Sequence, residues 1–438
     1  LRRMKKYDEY KDVQMGWLNK IPIHWTTVSL KFSTGNKPLS FVDGDWIESK
    51  VIKSDGIRYL TTGNVGVISY KEQGNGFISE QTFKELNCTE VFSGDILISR
   101  LNFPIGRACI VPDLGYRIVV AVDNVIFRPD TTKYNRRYLV YQMNCYPYSE
   151  NANVLGRGST MQRITRTQLG AFKLCVPPLP EQVAIASYLD TKCAKIDNLI
   201  SIQQKRIALL QELKQSVITH AVTKGLNPNV EMKQSGVEWI GDVPKHWEVL
   251  RGKYALSILS GFPFDSQKFE FEDNGVYMPL IRIRDINGSS TEVYYSGSYP
   301  IESVVKTGEV LIGMDGDFNI SKWKGTNALL NQRVCKLRED SSMNTHYAFY
   351  MLSSPLKAIN SVTYATTVKH LSVYDIYNAF IPVPPISEQT AIASYLDRKC
   401  ATIDTSISNA QHQIDLLQEY KQSLITEVVT GKRKVTDN

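Results

Sequence analysis

Residues 177–223 read PPLPEQVAIASYLDTKCAKIDNLISIQQKRIALLQELKQSVITHAVT, and residues 384–430 read PPISEQTAIASYLDRKCATIDTSISNAQHQIDLLQEYKQSLITEVVT. The two align without a gap, about two-thirds of their positions are identical, and the second follows the first by 207 residues. That spacing is far beyond the ~20–50 residues of stacked solenoid repeats, so each copy belongs to a whole domain. From Glu181 to Thr223 there is neither proline nor glycine, which predicts a helix of about 40 residues, roughly 60 Å long at ~1.5 Å per residue. Prolines 177, 178 and 180 suit its first turn, and Gly225 lies just past its end. Ile196, Ile200, Ile207, Leu210 and Val217 recur at three- and four-residue spacing, with Gln203 and Lys214 in the same stripe. Ile403, Ile407, Ile414, Leu417 and Leu424 hold the corresponding places, with Lys421 matching Lys214. Helices this long draw most of their stability from a packed apolar stripe, so two near-identical stripes predict a coiled coil of one copy on the other. The chain order of insert, helix, insert, helix favours antiparallel packing with a pseudo-twofold axis through the pair. The competing arrangement is two tandem domains, each with its helix folded back locally.

A second matched pair lies upstream of the helices: Trp17 to Trp25 (WLNKIPIHW) answers Trp239 to Trp247 (WIGDVPKHW). Between these landmarks the halves differ widely, the first interval being some 15 residues longer. Fainter echoes inside the inserts predict a shared fold. Gly94–Ile98 (GDILI) matches Gly308–Ile312 (GEVLI), and Ser159-Thr160 through Ile164 matches Thr366-Thr367 through Leu371. Runs such as Val119–Val122, Val125–Phe127 and Ile96–Ile98, broken by Gly, Asn and Asp, predict strand-rich inserts and an α+β class. The domains expected are a first insert at 4–176, a first helix at 177–224, a polar linker at 225–236, a second insert at 237–383 and a second helix at 384–432.

Composition narrows the function. The chain has 438 residues, 42% hydrophobic and 22% charged, with a formal charge of +7. The basic excess suits an acidic partner such as DNA without requiring one. No apolar run reaches 18 residues and no basic-then-apolar leader opens the chain, so neither membrane nor secretion is expected, and the cytoplasm is. Met4 reads as the natural start, and Leu1 to Arg3 carry no fold argument. Seven cysteines contain no C-x-x-C pair and do not cluster with the six histidines, which predicts buried thiols and neither disulfides nor zinc. No [ND]-P-P-[YF] segment, no Gly-rich nucleotide loop and no Walker A pattern occurs, Gly431-Lys432-Arg433 lacking the spacing and the hydroxyl. No catalytic residue and no metal site is expected. Asp43, Asp45, Glu48 and Lys50 read as a solvated turn, and Asp315 and Asp317 as loop acids, in preference to a metal-dependent nuclease cluster.

The paired helix openings P-P-L-P-E-Q and P-P-I-S-E-Q, each after a dissimilar insert, and the two W-[LI]-x-x-[IV]-P-x-H-W segments resemble the Type I restriction-modification specificity subunit, from about Tyr7 to Lys434. The resemblance implies that each insert is a target recognition domain reading one half of a split, asymmetric double-stranded DNA site, and that the helices set the gap. It implies two modification subunits, which methylate adenine with S-adenosylmethionine, and two restriction subunits using ATP and magnesium. This chain itself would carry no cofactor. The alternatives are a stand-alone DNA-binding protein, or a coiled-coil scaffold without a methyltransferase partner.

Phosphate contacts call for Arg, Lys, hydroxyl and backbone donors, and base readout for Arg, Asn or Gln forks. In the first insert Arg157, Ser159, Thr160, Gln162, Arg163 and Arg166 lie in one run, and Thr366, Thr367, Lys369 and His370 occupy the matching place in the second. They are expected to grip the backbone, unless the hydroxyls cap the following helix. Base readout is assigned to Arg100, Asn102 and Arg107 after GDILIS, and to Arg282, Arg284 and Asn287 in PLIRIRDING. Tyr59, Asn64 and Lys71 are further candidates.

Overall fold

Both duplicated segments are uninterrupted helices, Leu179–Lys224 and Ile386–Val429, in a computed structural model that describes residues 5–158, 161–362 and 369–435. Each ends on a glycine with positive φ, Gly225 at 75° and Gly431 at 73°. That conformation turns the chain out of the helix and costs glycine least. The described chain divides within the helices: one unit runs to Gln203 and resumes at His412, and the other spans Gln204–Gln411. Each unit therefore holds one insert and a half of each helix.

In the first unit Ile185, Leu189, Cys193 and Ile196 share a core with Leu424, Ile425, Val428 and Val429. Lys421 Nζ reaches Asp197 at 2.6 Å, while the Tyr10 hydroxyl, three residues beyond Glu181's partner Tyr7, donates to the Gly431 carbonyl at 2.9 Å. The helix halves thus run antiparallel. In the second unit Ile218, Ala221 and Val222 share a core with Ile392, Ala393, Leu396 and Cys400, and Lys214 Nζ reaches Asp404 at 2.6 Å. The contacts recur with the helices exchanging roles. Both lysines sit in the apolar stripe and extend their stems along it to an acid on the opposing helix.

The matched motifs lock helix to insert. Glu181 accepts from the Tyr7 hydroxyl at 2.5 Å and from Trp25 Nε1 at 3.2 Å, with His24 at 2.9 Å. Glu388 takes Trp247 Nε1 at 3.0 Å and His246 at 2.7 Å. The next residue of each motif is a fully buried glutamine. Gln182 accepts from the Asn135 amide and donates to the Lys133 and Pro177 carbonyls, and Gln389 does the same with Asn344, Ser342 and Pro384. A buried amide is tolerated only when its donors and acceptors are met, so E-Q is a clamp for the insert's helical end.

Each insert centres on a four-stranded antiparallel sheet. The order is Phe41–Asp43, Asn124–Phe127, Ile96–Ser99, Ala108–Ile110 in the first unit, and Ser257–Ser260, Val334–Arg338, Val310–Gly313, Ile320–Lys322 in the second. Ile96 and Ile98 face the helix-side core and Leu97 faces a separate cluster. Val310 and Ile312 divide from Leu311 in the same way. A strand buried on both faces needs an unbroken apolar run, which explains ILI and VLI. The seven cysteines are buried and unpaired.

Candidate nucleic-acid interface

The matched loops dock on the same strand ends in both units. Arg163 bridges Leu101, and His370 bridges Asp315. The Asn102 amide donates to the Gln162 carbonyl at 3.0 Å, and the Gly316 amide to the Lys369 carbonyl at 3.0 Å. Asn102 and Gly316 share positive φ, 57° and 75°. One register further on, Ile164 donates to the Arg100 carbonyl and Leu371 to that of Met314, at 3.1 and 2.7 Å. Over residues 162–164 and 369–371 these backbone bonds follow the correspondence expected from sequence.

In the first unit the loop is closed by paired bonds between Arg157 and Arg163, 3.0 and 2.9 Å. Ser159 and Thr160, like Thr366 and Thr367 in the second unit, lie outside the described residues. The helix caps are other residues. Thr165 accepts from the Gln168 amide at 3.1 Å, and Gln168 Oε1 accepts from the Thr165 amide. Ser372 and Asp375 make the same reciprocal box. T-x-x-Q and S-x-x-D were signals of that cap in the sequence.

Three arginines and two aspartates meet beside this loop. Arg163 lies 2.6 Å from Asp123, Arg100 lies 3.1 Å from Asp43, and Arg166 lies 3.6 Å from Asp43. Arg163 and Arg166 are each 44% exposed at the side chain, whereas Arg100 is 6% exposed. Burial pushes the Arg100 pKa below its ordinary value, against the pull of Asp43. Its guanidinium is spent on the Ile164 and Val122 carbonyls. Arg107 is likewise bonded to the carbonyls of Val65, Leu101, Asn102, Pro104 and Thr62. The structure thus corrects the sequence assignment of both: their donors face inward and shape the loop, and the same strand end leaves Asn102 exposed. Asp43 is an arginine partner at a strand end and no solvated turn. Asp123 carried no signal in the sequence; its charge also helps raise the Tyr59 pKa, after burial. Asn64 is buried and bonds the Lys71 and Gln73 carbonyls.

In the second unit one acid holds the cluster. Asp315 Oδ1 lies 2.5 Å from His370 Nδ1, and its Oδ2 lies 3.6 Å from Arg333 Nε. Lys369, expected to be a phosphate contact, places its ammonium on Asn360, 2.6 Å from the carbonyl and 3.0 Å from Oδ1. Arg282 is engaged by Asp285 and Glu292 at 3.2 and 3.0 Å. Arg284 is 69% exposed, 3.8 Å from Glu292, and Asn287 is exposed. The turn carrying all three packs near strand Val310–Gly313: a Cβ at Gly313 would lie 3.2 Å from Ile286 and 3.4 Å from Ile283. Among the described residues no group of three or more His, Cys, Asp or Glu converges as metal ligands would.

A domain described as Type I restriction modification DNA specificity domain matches residues 44–212 and again 244–414. The chain is 34% identical over 203 residues to the Type I restriction enzyme EcoBI specificity subunit of Escherichia coli, covering 46% of this chain and 42% of that one. It is 24% identical to the Type I restriction enzyme MjaIX specificity subunit of Methanocaldococcus jannaschii, over 98% of this chain and 97% of the relative. In fold it is similar to a chain solved for the structural basis of complex assembly and conformational transition of the type I R-M system, with a TM-score of 0.73, 16% identity, and coverage of 94% and 100%. It also matches the HsdS subunit from Thermoanaerobacter tengcongensis at a TM-score of 0.51 and 15% identity, covering 94% and 98%. With two copies of that domain filling most of its length, the chain belongs to the Type I restriction modification DNA specificity domain family, as a specificity subunit.

Proposed function

We propose that this chain is the DNA-reading, non-catalytic subunit of a Type I restriction-modification enzyme, that it recognises a bipartite asymmetric site, and that it directs adenine methylation and restriction by partners. The observation that carries the reading is one backbone frame built twice with different side chains at the same loop. Two matching frames suit two DNA segments, and unlike side chains suit unlike sequences. Arg157, Arg163 and Arg166 take the phosphate role, Asn102, Arg284 and Asn287 the base-edge role, and Arg100, Arg107, Arg282 and Lys369 position them. Two modification and two restriction subunits complete the enzyme, in the cytoplasm where the DNA is; S-adenosylmethionine, ATP and magnesium belong to them. No helix of the described residues is long and apolar enough to cross a membrane.

An exposed apolar flank on the helices favours this over a stand-alone DNA-binding protein. Leu199, Ile202, Leu416 and Tyr420 are about half exposed in the first unit, and Leu209 and Leu213 in the second. Each lies one residue before or two residues after a seam position, and antiparallel helices present those positions on one face. Such a face suits the helices of a modification subunit. The test is to purify the chain with its modification subunit, incubate with S-adenosylmethionine and a random DNA library, and map the methylated adenines. The reading expects co-purification and one two-part motif; methylation without sequence preference, or no association, would overturn it.

A further inference from the structure

The tight turn that carries the chain from strand Ile118–Val120 in one sheet to Asn124–Phe127 in the next recurs in the second unit between Ala328–Leu330 and Val334–Arg338. Its backbone is the same in both. Asn124 donates to the Ala121 carbonyl and Val334 to the Asn331 carbonyl, each at 2.9 Å. Gly44 donates to the Asn124 carbonyl and Gly261 to the Val334 carbonyl, each at 2.9 Å. Arg100 donates to the Asp123 carbonyl at 2.8 Å, and Met314 to that of Arg333 at 3.0 Å. A Cβ on Gly44 would fall 2.3 Å from the Val120 carbonyl oxygen, and one on Gly261 1.8 Å from that of Asn331. The frame of the turn is therefore fixed by close backbone contact and owes little to the side chains at its tip.

Those side chains are opposite in kind. The first unit carries Val122 and Asp123, the second Gln332 and Arg333. Asp123 is 23% exposed and held by Arg163 at 2.6 Å. Arg333 is 58% exposed, and its ion pair, Nε to Asp315 Oδ2, is 3.6 Å long, beyond hydrogen-bond reach. Gln332 is exposed beside it. The turn adjoins the loop of His370, since Asp315 meets both. A rigid turn bearing an arginine and a glutamine, both long forks facing solvent, has the chemistry for purine edges in a major groove: arginine for guanine O6 and N7, glutamine for adenine N6 and N7.

We propose that Gln332 and Arg333 are base-reading residues of the second unit, with Arg333 selecting guanine, and that Asp123 at the equivalent place in the first unit instead holds Arg163 in position. This rests on the DNA-reading function above and names residues for it. The test uses the full complex with its modification subunit and a library degenerate in both half-sites, comparing wild type with Arg333→Ala, Arg333→Lys and Gln332→Ala. Arg333→Ala is expected to relax one guanine position of one half-site by about tenfold to a hundredfold, leaving the other half-site and the thermal midpoint unchanged. Arg333→Lys fails to restore it, because an ammonium lacks the planar fork. Gln332→Ala relaxes a neighbouring position. The proposal is overturned if Arg333→Ala leaves every position intact, or weakens all sequences equally with a shallower salt dependence that Arg333→Lys rescues, which is the behaviour of a phosphate contact. If wild type itself shows no two-part motif, the wider reading fails; if wild type does and the variants match it, only this assignment fails.

Discussion

The two inserts neutralise the same loop with opposite parts. In the first, Asp43 comes from a strand end and Asp123 from the sheet's turn, and the cations Arg163 and Arg166 from the loop. In the second, Asp315 stands at the strand end where the first unit has Leu101, and the sheet's turn supplies the cation, Arg333. The hydrogen bonds beneath are unchanged. The difference teaches that the frame carries geometry and the tip carries identity, so charge can reverse at a fixed position without moving the backbone.

The strongest way to break this comparison is to disturb the frame itself. Gly261→Ala drives a methyl into the Asn331 carbonyl, and we expect a loss of about 3 kcal/mol or more, with the second unit becoming protease-sensitive. Next is the glutamine clamp. Gln389→Ala strands a buried amide and two carbonyls, for about 2–3 kcal/mol by denaturant titration, and Gln182→Ala should match it if the units are equivalent. Charge changes at the tips act on DNA binding and leave folding intact. Arg163→Ala should weaken binding to all sequences and lower the slope of log affinity against log salt by about 0.9, one phosphate contact. Asp123→Asn frees the same guanidinium and should tighten binding to all sequences by about two- to tenfold at low salt. If either variant instead changes sequence preference at one position, the division between frame and tip is misdrawn. The smallest effect is on the helices. Lys214 and Asp404 are 31% and 55% exposed, so Asp404→Asn should cost no more than about 1 kcal/mol.

Much of this was legible in the sequence because it is written twice. The stripe from Ile196 to Val217 and its copy gave the helices and their antiparallel return, and GDILI with GEVLI gave the shared sheet. The division of the units within the helices was not legible, since it depends on which half of each helix returns to which insert. The P-x-H-W ends of the paired tryptophan segments stood out as motifs, but their task, gripping Glu181 and Glu388, required the fold. Arg100 and Arg107 read as surface forks because sequence shows an arginine's charge and not the carbonyls around it. Asp123 was silent for the converse reason: a lone acid in a turn has no spacing to mark it, and only the fold brings Arg163 to it as a partner.

The most direct test of the central claim is to map methylated adenines for the complex carrying wild type, then the Arg163→Ala chain, then the Arg333→Ala chain, on one degenerate library at fixed salt. The account predicts two unlike half-sites at a constant separation, with preference altered only in one half by Arg333→Ala and in neither by Arg163→Ala. A single continuous motif, two identical halves, or one substitution altering both halves would contradict it.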